Sequence, residues 1–264
     1  MAGATGRVGR HVVELLELGG HEVVAMSRSS GVDVVTGAGL DEALAGVESI
    51  IDAAGGPEAQ QAATTFFTTA AGNLQKAGSR AGVQRIVVVS IIGIDRFTAG
   101  YMAAKVAHER AIQAGPISVR LLRAAQFHEL VPQFVDWGRQ ARTNVSYVPK
   151  MQTQLVAART VAQALAELAT DVATAPVGSA PVLEIAGPRV ENLADAARRL
   201  VARRGDPVRI EGVIDPKDPD RDLYAAGVQL PGPRAILAGP TFDEWLDASL
   251  SGARASDAAG LGAT

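Results

Sequence analysis

The chain has 264 residues, 47% of them hydrophobic and 20% charged, with a net charge of −3. That length suits one large α/β domain or a domain with a small lobe, and the absence of a basic block argues against nucleic acid and anionic membranes as partners. There is no cysteine, which excludes disulfides, thiolate catalysis and cysteine-ligated metals, and His11, His21, His108 and His128 lack metal-ligand spacing.

Glycines at Gly3, Gly6 and Gly9 stand directly ahead of an apolar helical pattern. The spacing predicts a phosphate-cradling turn that opens a helix. One glycine permits the bend, one admits a pyrophosphate, and one lets helix pack on sheet. The helix N-terminus adds unpaired N–H groups and partial positive charge. A strand should precede such a turn, and it is expected to be missing ahead of Met1. The expectation is a chain that starts late, inside its first strand, with a rebuilt sheet edge as the alternative. Val8, Val12, Leu15 and Leu16 predict a helix over 7–18, closed by Gly19 and Gly20. Short strands are predicted over 21–26 and 31–35, a helix over 40–45, and a buried strand over 48–53. A long helix follows over 57–77, with Pro57 in its first turn. Residues 85–90 form the clearest strand, apolar throughout as a parallel strand covered on both faces must be. A helix over 101–114 ends at Gly115 and Pro116, and a strand over 117–122 follows. This alternation predicts a Rossmann-type doubly wound parallel sheet over 1–125 with right-handed crossovers.

After Arg123 the pattern changes. A helix is predicted over 127–142, an extended stretch over 155–157, and a helix over 160–171 with Thr160 as its N-cap. A strand over 181–186, a helix over 192–204, an extended run over 208–213 and a helix over 242–250 complete the set. Residues 126–250 are read as a small C-terminal lobe that contributes the substrate cleft and return strands to the core sheet. Residues 251–264, small and polar, are expected to be a disordered tail.

Three places carry candidate chemistry. The second strand runs into Ser27, Arg28 and Ser29, where a dinucleotide fold meets the adenosine ribose. An acidic residue there would select NAD; arginine and serines suit a 2′-phosphate, so NADP(H) is preferred over NAD(H). Asp33 is placed to stand beside an adenine amino group, or to be a solvated loop aspartate. Tyr101 and Lys105 lie four apart at a helix start and share one face. A lysine ammonium beside a phenol lowers its pKa, and such a tyrosine can pass a proton to a carbonyl oxygen during hydride transfer. Ser90, ending the strongest strand, can hydrogen-bond the same oxygen. Glu109 continues the face, where a pair with Lys105 is expected to be exposed. Finally, Gln126, Phe127 and His128 follow the last core strand where a substrate cleft opens, or they pack the lobe junction. Phe134, Trp137 and Tyr147 are candidates for the same cleft.

Residues 3–9, 90–93, 101–105 and 121–128, together with 155–162, 185–188 and 242–246, resemble the short-chain dehydrogenase/reductase superfamily, specifically its atypical NmrA-like NAD(P)H-binding branch. The resemblance covers nearly the whole chain. It implies a dinucleotide across Gly3, Thr5, Gly6, Arg7, Val8 and Gly9, then Arg28, then Ala53, Ala54 and Gly55, then Ser90, with Lys105 on the nicotinamide ribose. Thr160 replaces an aspartate common in the family, which is expected to alter a helix cap. Some relatives reduce quinones, aldehydes or benzylic ethers. Others are non-catalytic NADP(H) redox sensors and often lack the tyrosine. Tyr101 and Lys105 together favour a reductase of a small carbonyl or quinone-type substrate. The expected location is cytoplasmic, and the expected state a monomer or homodimer.

Overall fold

The computed structural model describes residues 1–171 and 182–261, with side chains through residue 251. The first half contains α1 (Gly9–Leu18), α2 (Leu40–Ala43), β1 (Ser49–Asp52), α3 (Gln60–Ala81), β2 (Arg85–Ile91), α4 (Gly100–Gln113) and β3 (Ser118–Ala124). The second half contains α5 (Val131–Gly138), β4 (Arg139–Gln140), β5 (Val145–Pro149), β6 (Gln152–Thr153), α6 (Ala158–Thr170) and β7 (Leu183–Ala186). It continues through β8 (Glu191–Asn192), α7 (Leu193–Arg204), β9 (Arg209–Val213), α8 (Arg221–Ala225), β10 (Ile236–Leu237) and α9 (Phe242–Leu261).

The central sheet is parallel, in the order β1-β2-β3-β7-β10. Its register places Ile50 beside Ile86, and Val88 beside Leu121. Ile86, Val87 and Val88 are fully buried because helices cover both faces. Ile50, Ile86 and Val88 pack against Leu74 of α3 and Ile112 of α4. On the other face, Ile51 and Val87 meet Val12 and Leu16 of α1 and Val161 and Leu165 of α6. The spacing of Val8, Val12 and Leu16 is what turns one stripe of α1 to the sheet.

Beyond β1 the sheet continues through two single-residue bridges. Ala2 pairs in parallel with both Asp52 and Met26. The Ala2 N–H donates to Ile51 O at 2.8 Å, and the Met26 N–H donates to Met1 O at 2.9 Å. Met1 and Ala2 thus occupy the slot of the strand expected before the glycine turn. The strand predicted over 21–26 is corrected: of this stretch Met26 makes a bridge, and Val24 O accepts from the Met1 amine at 2.8 Å.

The second half builds its own small core. Val131 and Val135 of α5, Leu193 and Leu200 of α7, and Phe242 and Leu246 of α9 pack around Val148 of β5 and Ile210 of β9. Strands β4, β5 and β9 form a second sheet. β7 and β10 belong to the central sheet, beyond β3. Pro181, at the start of the strand predicted there, lies outside the described residues.

Several local expectations change. Residues 31–35 form no strand. Asp33 accepts from the Val35 and Thr36 N–H groups at 2.8 and 3.3 Å, which folds the segment into a turn. Pro57 stands ahead of α3, not inside it. Thr160 does not cap α6, whose N-cap is Ala157. The Ala158 N–H is taken instead by the Glu129 carboxylate, at 3.1 and 3.2 Å. Thr160 packs against Gly239, where an added Cβ would stand 2.3 Å from its hydroxyl oxygen. The last helix continues past Leu250 to Leu261 through the segment expected to be disordered, whose alanines are the strongest helix formers. Residues 262–264 lie outside the described residues.

Candidate functional site

The glycine turn joins Ala2 to α1 at the point where the chain crosses from one side of the sheet to the other. Gly3 has φ +73°, a left-handed conformation open to glycine, and a Cβ there would stand 2.6 Å from Ala53 O. At Gly9 an added Cβ would meet Gly3 O at 2.0 Å. The Gly6 N–H donates back to Gly3 O at 2.9 Å. Val8 is the N-cap of α1 and gives no side-chain acceptor to its first turn, where Arg10 and His11 donate their N–H groups to Gly6 O and Val8 O at 3.2 and 3.0 Å. Thr5 stays exposed, while Arg7 donates to Gln133 Oε1 of α5 at 2.9 Å. Ala53, Ala54 and Gly55 follow β1 on the adjoining edge, and nothing stands within 4 Å of a Cβ added at Gly55.

Ser27, Arg28 and Ser29 lie in the turn after Met26. Ser27 and Ser30 cap each other's backbone there, and the Arg28 side chain is exposed. Asp33 uses Oδ1 to hold its own turn and leaves Oδ2 for another partner.

Helix α4 presents Tyr101, Lys105 and His108 as one stripe toward the sheet and α3. Lys105 is buried, and its amine donates to Val89 O of β2 at 3.1 Å and to His108 Nδ1 at 2.9 Å. His108 Nε2 meets Asp52 Oδ2 at 3.0 Å, and Asp52 Oδ1 accepts from the Ala54 N–H at 3.0 Å. Phe67 of α3 closes this row. It stacks on His108 at 4.9 Å, lies 4.7 Å from the Lys105 amine, and meets Tyr101 edge-on at 5.6 Å. Ser90, the residue after Val89, has a buried hydroxyl with no partner among the described residues.

The electrostatics depart from the sequence reading. Burial raises the Tyr101 phenol; a Gly56 N–H opposes this and the Asp52 charge adds to it. The Lys105 amine is hydrogen-bonded to Val89 O and His108 Nδ1 and makes no hydrogen bond to Tyr101 among the described residues. Burial brings Lys105 down to about 8, against the pull of Asp52 and Glu109. It also lowers His108, with the Lys105 charge acting in the same direction. Burial alone would raise Asp52, but the His108 hydrogen bond, the Lys105 charge and the Ala54 N–H hold it below the usual range. Glu109 is neither exposed nor paired with Lys105: it takes a two-pronged contact from Arg123, at 2.6 and 3.0 Å.

The three residues after β3 separate. Gln126 lines a cavity of about 300 Å³ with Met102, Phe134, Tyr147, Met151 and Tyr224. Met102 of α4 lines this cavity, and Tyr101 and Ser90 do not. Phe127 joins the core through a bridge to Val156 and packs on the α1 face of the sheet. His128 is a correction: it is fully buried, its Nε2–H donates to Pro240 O at 3.1 Å, and it packs on Phe242 and Trp245. Burial takes it down to about 4, so it is a neutral core residue and not a substrate contact. Phe134 and Tyr147 reach the cavity; Trp137 lies outside it and is exposed.

Sequence reasoning missed Asp52, His108 and Phe67. His108 carried a weak signal, three residues after Lys105, but Asp52 and Phe67 reach the row only through the sheet and α3. It also missed Asp220, whose carboxylate accepts from the Thr98 and Ala99 N–H groups at 2.7 and 2.8 Å and so ties the C-terminal lobe to the start of α4. Among the described residues no helix is long and apolar enough to cross a membrane.

A family model described as NAD(P)H-binding matches residues 3–172, more than half of the chain. No curated protein sequence matches. Among solved structures, the chain is similar to the NADPH-dependent quinone oxidoreductase QOR2 of Escherichia coli in complex with NADPH. That match has 20% identity and a TM-score of 0.66 over 94% of this chain and 98% of the other. A short-chain dehydrogenase/reductase superfamily protein of Agrobacterium tumefaciens with bound NAD matches at 16% identity and TM-score 0.67, over 98% of each chain. MoeE5 in complex with UDP-glucose and NAD matches at 18% identity and TM-score 0.63, over 94% and 98%. With its glycine turn at the crossover of a parallel sheet, the chain belongs to the NAD(P)H-binding family and has a Rossmann-type fold.

Proposed function

We propose that the protein is an NADPH-dependent reductase of a small carbonyl or quinone-type substrate. The observation that carries this reading is the convergence of Lys105, Asp52 and the partnerless Ser90 hydroxyl at the C-terminal ends of β1 and β2, beside the glycine turn. The residues present fit a dinucleotide. Side chains at Gly3 or Gly9 would fill the turn, and the Ser90 hydroxyl needs a partner. Gly3 to Gly9 would hold the pyrophosphate, Arg28 with Ser27 and Ser29 the 2′-phosphate, and Lys105 the nicotinamide ribose. Ala53, Ala54 and Gly55 flank the same turn. The bound nicotinamide supplies hydride. Tyr101 gives a proton from its hydroxyl to the substrate oxygen, and Ser90 hydrogen-bonds that oxygen. Burial and Asp52 keep the phenol protonated, as a proton donor requires. The cavity between α4 and the C-terminal lobe, lined by Met102 and Gln126, would take the part of the substrate that extends away from Tyr101 and Ser90.

A second reading, a non-catalytic NADP(H) sensor, is favoured by one observation: the Lys105 amine points at His108 and Val89 and not at Tyr101. Tyr101→Phe separates the two. In a panel of carbonyls and quinones with NADPH, the reductase reading expects turnover to fall about 10²- to 10⁴-fold with NADPH affinity unchanged. Full turnover in the variant removes the acid role, and no turnover by the parent on any member of the panel supports the sensor.

A further inference from the structure

We propose that His108 and Asp52 are positioning residues for Lys105: the chain from Asp52 through His108 fixes the lysine amine at the end of β2, where the dinucleotide site requires it. This rests on the reading above that Lys105 serves the cofactor.

The geometry leaves the imidazole one arrangement. Asp52 is fully buried and ionised, so its Oδ2 only accepts, and His108 must carry its proton on Nε2. Nδ1 is then bare, and it accepts from the Lys105 ammonium at 2.9 Å. A neutral ring therefore joins a buried anion to a buried cation, with a hydrogen bond at each end. Stacking on Phe67 at 4.9 Å, with 23° between the planes, prevents the ring from turning. The Lys105 amine has two fixed acceptors, Nδ1 and Val89 O, and these orient its remaining N–H. The other carboxylate nearby, Glu109, is taken by Arg123 and cannot replace Asp52. No titratable side chain reaches this row from α3, which contributes Phe67. Without the imidazole the lysine keeps one acceptor, Val89 O, and a flexible four-carbon stem is free to swing out of the cofactor site.

A network that merely filled the core would show only as stability. The test therefore uses NADPH titrations of the full chain with parent, Lys105→Met, His108→Leu, His108→Gln and the Lys105→Met/His108→Leu double variant. A glutamine amide can accept from lysine and donate to aspartate, so His108→Gln is expected to stay within about threefold of the parent, whereas His108→Leu loses about tenfold or more. The double variant is expected to be no weaker than Lys105→Met alone, because both changes act through one amine. If Lys105→Met loses affinity while a folded His108→Leu keeps it, or if the two losses add, the positioning role is overturned and the cofactor role of Lys105 stands. If Lys105→Met binds NADPH like the parent, the cofactor reading itself fails. Nitrogen NMR of the His108 ring in the parent supplies a readout without cofactor, even if His108→Leu does not fold. The neutral Nε2–H tautomer is expected, and the Nδ1–H tautomer would overturn the chain of contacts.

Discussion

An added methyl group at Gly9 would stand 2.0 Å from Gly3 O, 2.8 Å from Gly3 C and 3.0 Å from Ala4 Cα. All three are backbone atoms of the turn, so no side chain can swing aside. Turn and helix must separate by roughly 1 Å to approach ordinary contact distance. Overpacking of this kind costs about 1–3 kcal/mol. For a domain of this size each kcal/mol lowers Tm by about 2–4 °C, so Gly9→Ala is expected to melt roughly 2–12 °C below the parent. The same shift moves the first-turn N–H groups away from the phosphates, and NADPH affinity is expected to fall at least about tenfold. Gly72→Ala is the control. It lies inside α3 with nothing within 4 Å of an added Cβ, and it should gain about 0.5–1 kcal/mol and leave NADPH binding unchanged. Thermal melts and calorimetric NADPH titrations measure both quantities. A Gly9→Ala protein with the melting temperature and affinity of the parent would refute the close approach and the phosphate role of this turn together.

Three further outcomes are expected. Arg28→Ala should weaken NADPH by about 1.5–3 kcal/mol, the worth of a hydrogen bond to a charged group, and leave NADH nearly untouched; equal loss of both would make Arg28 structural. Arg123→Met should destabilise the fold by about 3–5 kcal/mol in urea titrations, because Glu109 remains buried without its partner, and Glu109→Met in the same chain should restore most of it. A loss under about 1 kcal/mol would show that Glu109 finds another donor. His128 is held near 4 in the fold against 6.5 unfolded, so the unfolded chain takes up a proton between those values and the fold does not. Its contribution is full above pH 6.5 and is lost as the pH falls toward 4, on the order of 3 kcal/mol in all. His128→Phe should flatten that part of the stability profile, and an unchanged acid limb would sink the assignment.

The elements of the core were legible because each follows from spacing along a few residues. The unbroken apolar run of Ile86 to Val89 marks a strand covered on both faces, and Val8, Val12 and Leu16 mark one stripe of a helix. Gly3, Gly6 and Gly9 announced a dinucleotide turn by the same local logic, and Tyr101 with Lys105 announced one helical face. What each group meets was settled elsewhere. The 21–26 stretch is a strand by composition, yet a strand exists only where a neighbour pairs with it, and of this stretch Met26 alone makes a bridge, to Ala2. Thr160 looks like a cap, but the α6 N-terminus takes the carboxylate of Glu129, which the fold brings beside it. His128 and His108 carry the same ring with nothing in their local sequence to separate their uses. One is sealed between Pro240, Phe242 and Trp245; the other links Asp52 to Lys105. Periodicity is a property of neighbours in the chain, and so the sequence by itself determined the core helices and strands such as α1 and β2. Hydrogen-bond partners and burial belong to neighbours in space, and so the tertiary structure alone decided which of those side chains are charged, which are neutral, and which face the cofactor site.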